Sequence, residues 1–429
     1  MSVPQEVELK MMTLGDLFSD NSGNGNKIQL KIPDYQRIYS WEEKQVMRLL
    51  NDVHQIADKP YHMGTIILHK RNNGQYEIVD GQQRLVTLTL LLLELPKESE
   101  ATLTSLANAY FESEEAHRYI AYNKWLIQNY LKTRKIKADS LLKQLQFSVL
   151  LLCSENLDLA YTFFTANGNR GKSLSDYDLL KSHHLRFIYL PEQALHLAGR
   201  WDNLIRQSDN NNQENALART FETCLFRSRQ WMRNRTWDED EKRKVKNHFE
   251  AALIIPEIPP FGEQFDFYET IQGGTHFFAF AEHFIGRYKE FQRTIPYKQL
   301  HMRLNWEKHW WYRDVIEALL FAYFLKFGIQ YLCDAFALIS KNVAQHRLTT
   351  FRAYLHSILK YVSDGEIVMM IDQATSPTFF LAELKALNDA FHEPEELSGT
   401  RQRFNNHLQE IYKQLNPLMA IKHESNDRK

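Results

Sequence analysis

Asp80-Gly81-Gln82-Gln83-Arg84 places a carboxylate, two amides and a guanidinium in one short stretch of chain. The apolar run Ile78-Val79 leads into it and a leucine-rich run, Leu85 to Leu95, leads out. That order reads as a strand, a tight turn and the first turn of a helix. Unpaired backbone N–H groups and the helix dipole make such a start attractive to anions. Arg84 adds a planar fork of donors suited to phosphate. Gln82 or Gln83 could orient an attacking water, with Asp80 as cap, base or ligand of a divalent ion such as Mg2+. The plainer alternative makes Asp80 an N-cap, Gly81 a turn residue and both glutamines solvated first-turn residues.

Two further stretches carry donors. In IPDYQRIYSW, Ile32 to Trp41, the pair Gln36-Arg37 sits among the aromatics Tyr35, Tyr39 and Trp41. The aromatics read as core anchors, and a second guanidinium near Arg84 calls for an anion that neutralises both. In the stretch Phe163 to Phe187, the loop Asn167-Gly168-Asn169-Arg170-Gly171 precedes a helix start at Leu174-Ser175-Asp176, with Lys172 and Lys181 as nearby cations. Glycines let a backbone approach a ligand closely, and asparagine both donates and accepts. Such loops are also ordinary turns. The chain has no GxxxxGK[ST] run, so no Walker-type phosphate loop is present.

The elements expected to position these residues mix strand and helix up to about residue 95. IQLKIPDY, Ile28 to Tyr35, alternates as a strand running into a turn at Pro33. Ser40 followed by Glu43 has the spelling of a capping box for a helix over Ser40 to Ile56. MGTIILHKRNNGQYEIVDG reads as strand, Asn-Gly turn, strand, a hairpin whose second arm delivers Asp80. From about residue 101 the pattern is helical, including Leu103 to Leu131, Leu141 to Leu152, Leu180 to Tyr189 and Tyr312 to Phe327. Breaks fall at QSDNNNQEN, Gln207 to Asn215, and at the proline-rich Ile254 to Gln264. The expected fold class is α+β, with a small mixed-sheet module followed by a large all-helical region.

Composition narrows the function classes. Lys plus Arg is 52 and Asp plus Glu 53, a net charge of −1. No global basic field draws the protein to nucleic acid, so contact with DNA would need a local patch. The three cysteines, Cys153, Cys224 and Cys333, are isolated, which argues against a disulfide scaffold or a cysteine-based zinc site. The first residues lack the apolar core of a signal peptide, and no run of about 18 apolar residues spans a bilayer. A cytoplasmic protein is expected.

Taken in order, IPDYQRIYSW, GTIIL (Gly64 to Leu68), VDGQQRLVTL and FFTANGNRGKSLSDYDLLK resemble the N-terminal domain family of GmrSD-type, modification-dependent restriction endonucleases. The resemblance covers roughly residues 8 to 190. It implies a ParB/sulfiredoxin-like module with helical additions. With the break at Gln207 to Asn215, the expected division is a nucleotide-binding core over 1–100, a helical extension over 101–208 and a C-terminal helical domain over 209–429. The resemblance also implies an NTP-binding, NTP-hydrolysing component of an anti-phage defence system. Asp80, Gln82, Gln83 and Arg84 then carry the chemistry. Gln36, Arg37, Gly81, Asn167, Arg170, Gly171 and Lys181 line the nucleotide pocket, with Mg2+ on Asp80.

Nucleases of this kind carry a C-terminal His-Asn-His domain, and the sequence shows no such unit. The histidines after residue 215, such as His276, His301, His309 and His346, are scattered through helical sequence. Asp372 with Glu383 and Lys385 spells D…ExK, yet Glu383 sits in an amphipathic helical pattern rather than a strand. The basic stretch Arg233 to Lys246 is interleaved with Asp238 to Glu241 and reads as a solvated face. The aromatic run His309 to Asp314 has the spacing of core positions. The sequence therefore points to an NTPase acting with a separate nuclease-bearing partner. A non-hydrolysing nucleotide- or DNA-binding module is the alternative, and an autonomous DNA endonuclease the more distant one.

Overall fold

The computed structural model describes residues 7–18, 28–54, 60–96, 114–153, 175–188, 190–209, 216–235, 245–250, 266–305, 309–391, 394 and 396–420. The chain divides into two compact units, residues 1–206 with 273–275, and residues 207–272 with 276–429. The first is built on a mixed five-stranded sheet and the second is helical, an α+β organisation.

In the first unit the sheet order is β1-β5-β3-β4-β2. The strands are β1 (Val7–Thr13), β2 (Gln29–Lys31), β3 (Tyr61–Lys70), β4 (Gln75–Asp80) and β5 (Leu145–Leu152). β3 and β4 form the expected antiparallel hairpin, turning at residues 71–74 with Gly74 at φ 80°. β5 runs parallel to β3 and antiparallel to β1.

β5 corrects the sequence reading. Leu141 to Leu152 was expected to be helical, but α5 (Ala138–Gln144) ends where the strand begins. The segment LQFSVLLL buries Leu145, Phe147, Val149 and Leu151 on alternate positions. A short apolar run carries both periodicities at once, and pairing with β1 and β3 decides for the strand. β1 has no strong sequence signal, since Leu9 and Met11 stay exposed on its outer face.

Against one face of the sheet pack α1 (Leu14–Phe18), α2 (Glu43–His54), α3 (Gln82–Glu94) and α4 (Glu114–Leu131), sharing a core that includes Leu50, Leu68, Leu88, Ile127 and Phe147. α2 starts at Glu43, not at Ser40, whose N–H is used elsewhere. The strand expected over 28–35 shrinks to three residues because Pro33 has no N–H to donate. α6 (Asp176–Leu185) opens with the expected Ser175 cap, in a capping box with Asp178, and α7 (Pro191–Asp209) follows.

In the second unit the Trp310–Phe327 helix is buried at nearly every position from Tyr312 to Phe324 and forms the centre of the core. The Leu332–Thr349, Leu355–Asp364, Ile367–Gln373, Pro377–Asp389 and Gly399–Leu415 helices assemble around it and each other. Among the described residues, no helix is long and apolar enough to cross a membrane.

Candidate functional site

Gly81, at φ 98°, caps α3 from a left-handed conformation, with no side-chain hydrogen bond to the cap. Asp80 is therefore not the N-cap. A Cβ on Gly81 would come within 3.1 Å of the Ile66 side chain, so both the conformation and the space demand glycine.

The residues after Gly81 grip the segment 36–40. Gln82 Nε2 donates to the Arg37 carbonyl at 2.9 Å. Gln83 Nε2 donates to the Ile38 carbonyl at 3.0 Å, and its Oε1 accepts from Ser40 N–H at 2.9 Å. From the other side, Gln36 Nε2 donates to the carbonyls of Ile78 and Val79 at 3.1 and 2.7 Å. The buried Tyr39 hydroxyl bonds Thr87 of α3 at 2.8 Å and accepts from Asn123 of α4 at 3.0 Å. These amides replace a regular ladder: the end of β4, the start of α3 and segment 36–40 form one hydrogen-bonded unit.

The two guanidiniums have different fates. Arg84 donates from Nη1 to the Met63 carbonyl at 2.8 Å and from Nη2 to the Thr65 carbonyl at 2.5 Å. Its Nη2 lies 3.8 Å from Asp80 Oδ2. The space comes from Gly64, at φ 95°, where a Cβ would sit 2.9 Å from Arg84 Nη1. Burial pulls the Arg84 pKa down and Asp80 partly restores it. Arg37 is half-buried, and its guanidinium has no hydrogen bond or ion pair with the described residues. Burial lowers its pKa too, opposed by the charges of Asp178 and Asp80.

Lys181 is buried on α6, donating to Asp202 Oδ2 at 2.8 Å and to the Gln36 carbonyl at 3.2 Å. It thus braces the Gln36-Arg37 backbone. Gln82 Oε1 is buried and has no hydrogen-bond donor. Among the described residues, no three metal-ligating side chains come together. A Mg2+ on Asp80 would therefore need phosphate oxygens and water to fill its octahedron.

The structure brings together Gln36, Arg37, Asp80, Gly81, Gln82, Gln83, Arg84 and Lys181. Asn167, Arg170 and Gly171 lie outside the described residues. Asp178, whose charge reaches Arg37 along with that of Asp80, was missed in the sequence reading, which marked only a helix start at Leu174-Ser175-Asp176. In the second unit, Glu383 and Lys385 lie on the Pro377–Asp389 helix, with Lys385 paired to Asp389, while Asp372 belongs to the Ile367–Gln373 helix.

Comparison with known families bears on the whole arrangement. Residues 256–398 match a family of unknown function, DUF7834. No curated protein matches the chain. Residues 14–185 match the GmrSD restriction endonuclease, N-terminal domain, a span that holds β2 to β5, α1 to α6 and every described site residue, with β1 just before it. Over those residues the chain is similar to the GmrSD restriction endonuclease N-terminal domain family.

Proposed function

We propose that the first unit binds and hydrolyses a nucleoside triphosphate, as the regulatory component of a GmrSD-type restriction system. The observation that carries the reading is Arg37. Its guanidinium is half-buried and unpaired among the described residues, and its backbone is fixed by Gln36, Gln82 and Lys181. A fork held open at the start of α3 is preorganised for a phosphate. The N-terminal dipole of that helix adds to the attraction.

Arg84 then acts as a positioning residue, since its donors are spent on β3 carbonyls. Of the two glutamines, Gln83 has both ends of its amide engaged. Gln82 keeps a free acceptor, Oε1, suited to orient the attacking water. When bound, Mg2+ would offset phosphate charge beside Asp80. The nuclease of such a system would come from another chain, and DNA contact would fall to a local patch.

The test incubates the full chain with Mg2+ and each NTP in turn. Phosphate release from at least one NTP, falling in Gln82→Leu by far more than nucleotide affinity falls, supports hydrolysis. Binding without release in the wild type would convert the site to a sensor. Neither binding nor release would refute the assignment.

A further inference from the structure

Among the described residues, the helical unit buries three guanidiniums, Arg219, Arg227 and Arg313, near two carboxylates, Asp314 and Glu317. Residues 216–232 form one continuous helix in which Arg219–Leu225 is wound as a π-helix. Such insertions cluster at functional sites. Here the π-helical stretch brings Arg219 and the Cys224 thiol onto Glu317 of the Trp310–Phe327 helix.

Glu317 is engaged through both of its oxygens and Asp314 through Oδ1. Arg219 grips Glu317 with Nε and Nη2, and Glu317 also accepts from Tyr288 at 2.6 Å and meets His301 Nε2 at 2.7 Å. Asp314 Oδ1 accepts from Arg219 Nη1 at 2.9 Å and from Arg313 Nε and Nη2 at 3.1 and 3.0 Å. Arg219 and its neighbours hold the Glu317 carboxyl far below the usual range despite its burial.

Arg227 is left over. It is 3% exposed, and its Nη1 is shut off from solvent without a hydrogen-bond partner. It lies near enough to Asp314, Glu317 and Arg219 to feel their charges, but it pairs with neither acid. An arginine cannot shed its proton at ordinary pH, and a buried charge without a partner is among the most costly arrangements a fold can hold. The excess positive charge needs an anion.

We propose that Arg227, backed by Arg219, anchors a small-anion site in the helical unit and that its ligand is a compact phosphate-class oxoanion. The planar guanidinium favours an oxoanion over a spherical halide. The near-complete burial requires a small ion or the terminal group of a larger one. Free orthophosphate and the terminal phosphate of a nucleotide share this chemistry. The assignment is independent of the nucleotide reading of the first unit.

The test compares thermal unfolding of the full chain in orthophosphate, in ATP and in chloride at matched ionic strength. It uses an Arg37→Met background so that the first-unit site does not contribute. Phosphate should raise the midpoint by about 4 °C over chloride. Arg227→Met should abolish that rise and be at least as stable as its parent in chloride. A response to ATP alone, also lost in Arg227→Met, would assign the nucleotide phosphate. Equal behaviour in all three anions, or a response that survives Arg227→Met, would overturn the proposal. Should Arg227→Met fail to fold, calorimetric titration of the Arg37→Met protein decides. Absence of binding by both orthophosphate and ATP overturns the site, and binding weakened about tenfold or more by Arg227→Lys supports it.

Discussion

Gln82 Nε2 donates to the backbone carbonyl of Arg37 at 2.9 Å, across 45 residues of sequence. That bond joins two motifs, Gln36-Arg37 and Asp80 to Arg84, into one structure and sets the division of labour between their arginines. Arg84 holds β3 to the start of α3. Arg37 is held through its backbone, and in the function proposed above its donors meet the phosphate.

Gln83 should prove structural. Gln83→Leu removes the bonds to Ser40 N–H and the Ile38 carbonyl and leaves both groups without that partner. A loss of about 1–3 kcal/mol in chemical denaturation is expected. Nucleotide affinity should fall with it, because segment 37–40 loses its anchor. A variant of unchanged stability would show that the amide does not hold this segment.

Arg84 and Gly64 should behave as one unit. Arg84→Met strips the Met63 and Thr65 carbonyls of their donor and should cost about 2–3 kcal/mol. Gly64→Ala should cost about 1–3 kcal/mol, since its φ of 95° is left-handed and the new Cβ meets Arg84 Nη1. The double variant should lose clearly less than the sum, as measured by a double-mutant cycle. Strict additivity would separate the two residues.

The strand, turn and helix around Gly81 were legible in sequence because their parts are local: glycine at the turn, leucines at helical spacing behind it, and amides in the first turn. What those amides do was not legible. Gln82 and Gln83 spell solvent-facing or ligand-facing donors, yet both are buried and bonded to a segment 45 residues away. Arg84 was expected to face phosphate, but its donors go to a β3 bulge whose geometry depends on pairing with β5. That strand was itself read as helix, because eight apolar-rich residues hold no decisive period until neighbours pair with them. The partnership of Arg219 with Glu317 spans 98 positions and leaves no local trace.

Acid should weaken the helical unit through His346. Its Nδ1 lies 2.9 Å from the Tyr312 hydroxyl. Burial, with the Arg347 charge second, holds its pKa at about 4 against the usual 6.5. The folded protein therefore binds fewer protons than the unfolded chain between these values. This contribution is intact above pH 6.5 and is lost as pH falls toward 4. Denaturation of wild type and His346→Gln across that range should show the wild type losing stability relative to the variant. A constant difference would contradict the assignment.

The most direct test of the central claim is nucleotide binding by Arg37→Met, measured by titration with a fluorescent NTP in Mg2+. The Arg37 side chain makes no hydrogen bond or ion pair with the described residues, so the variant should unfold at the same denaturant concentration as the wild type. It should nevertheless lose affinity by about a hundredfold, the worth of a charge-assisted bidentate contact. Wild-type affinity in a folded Arg37→Met protein would contradict the account.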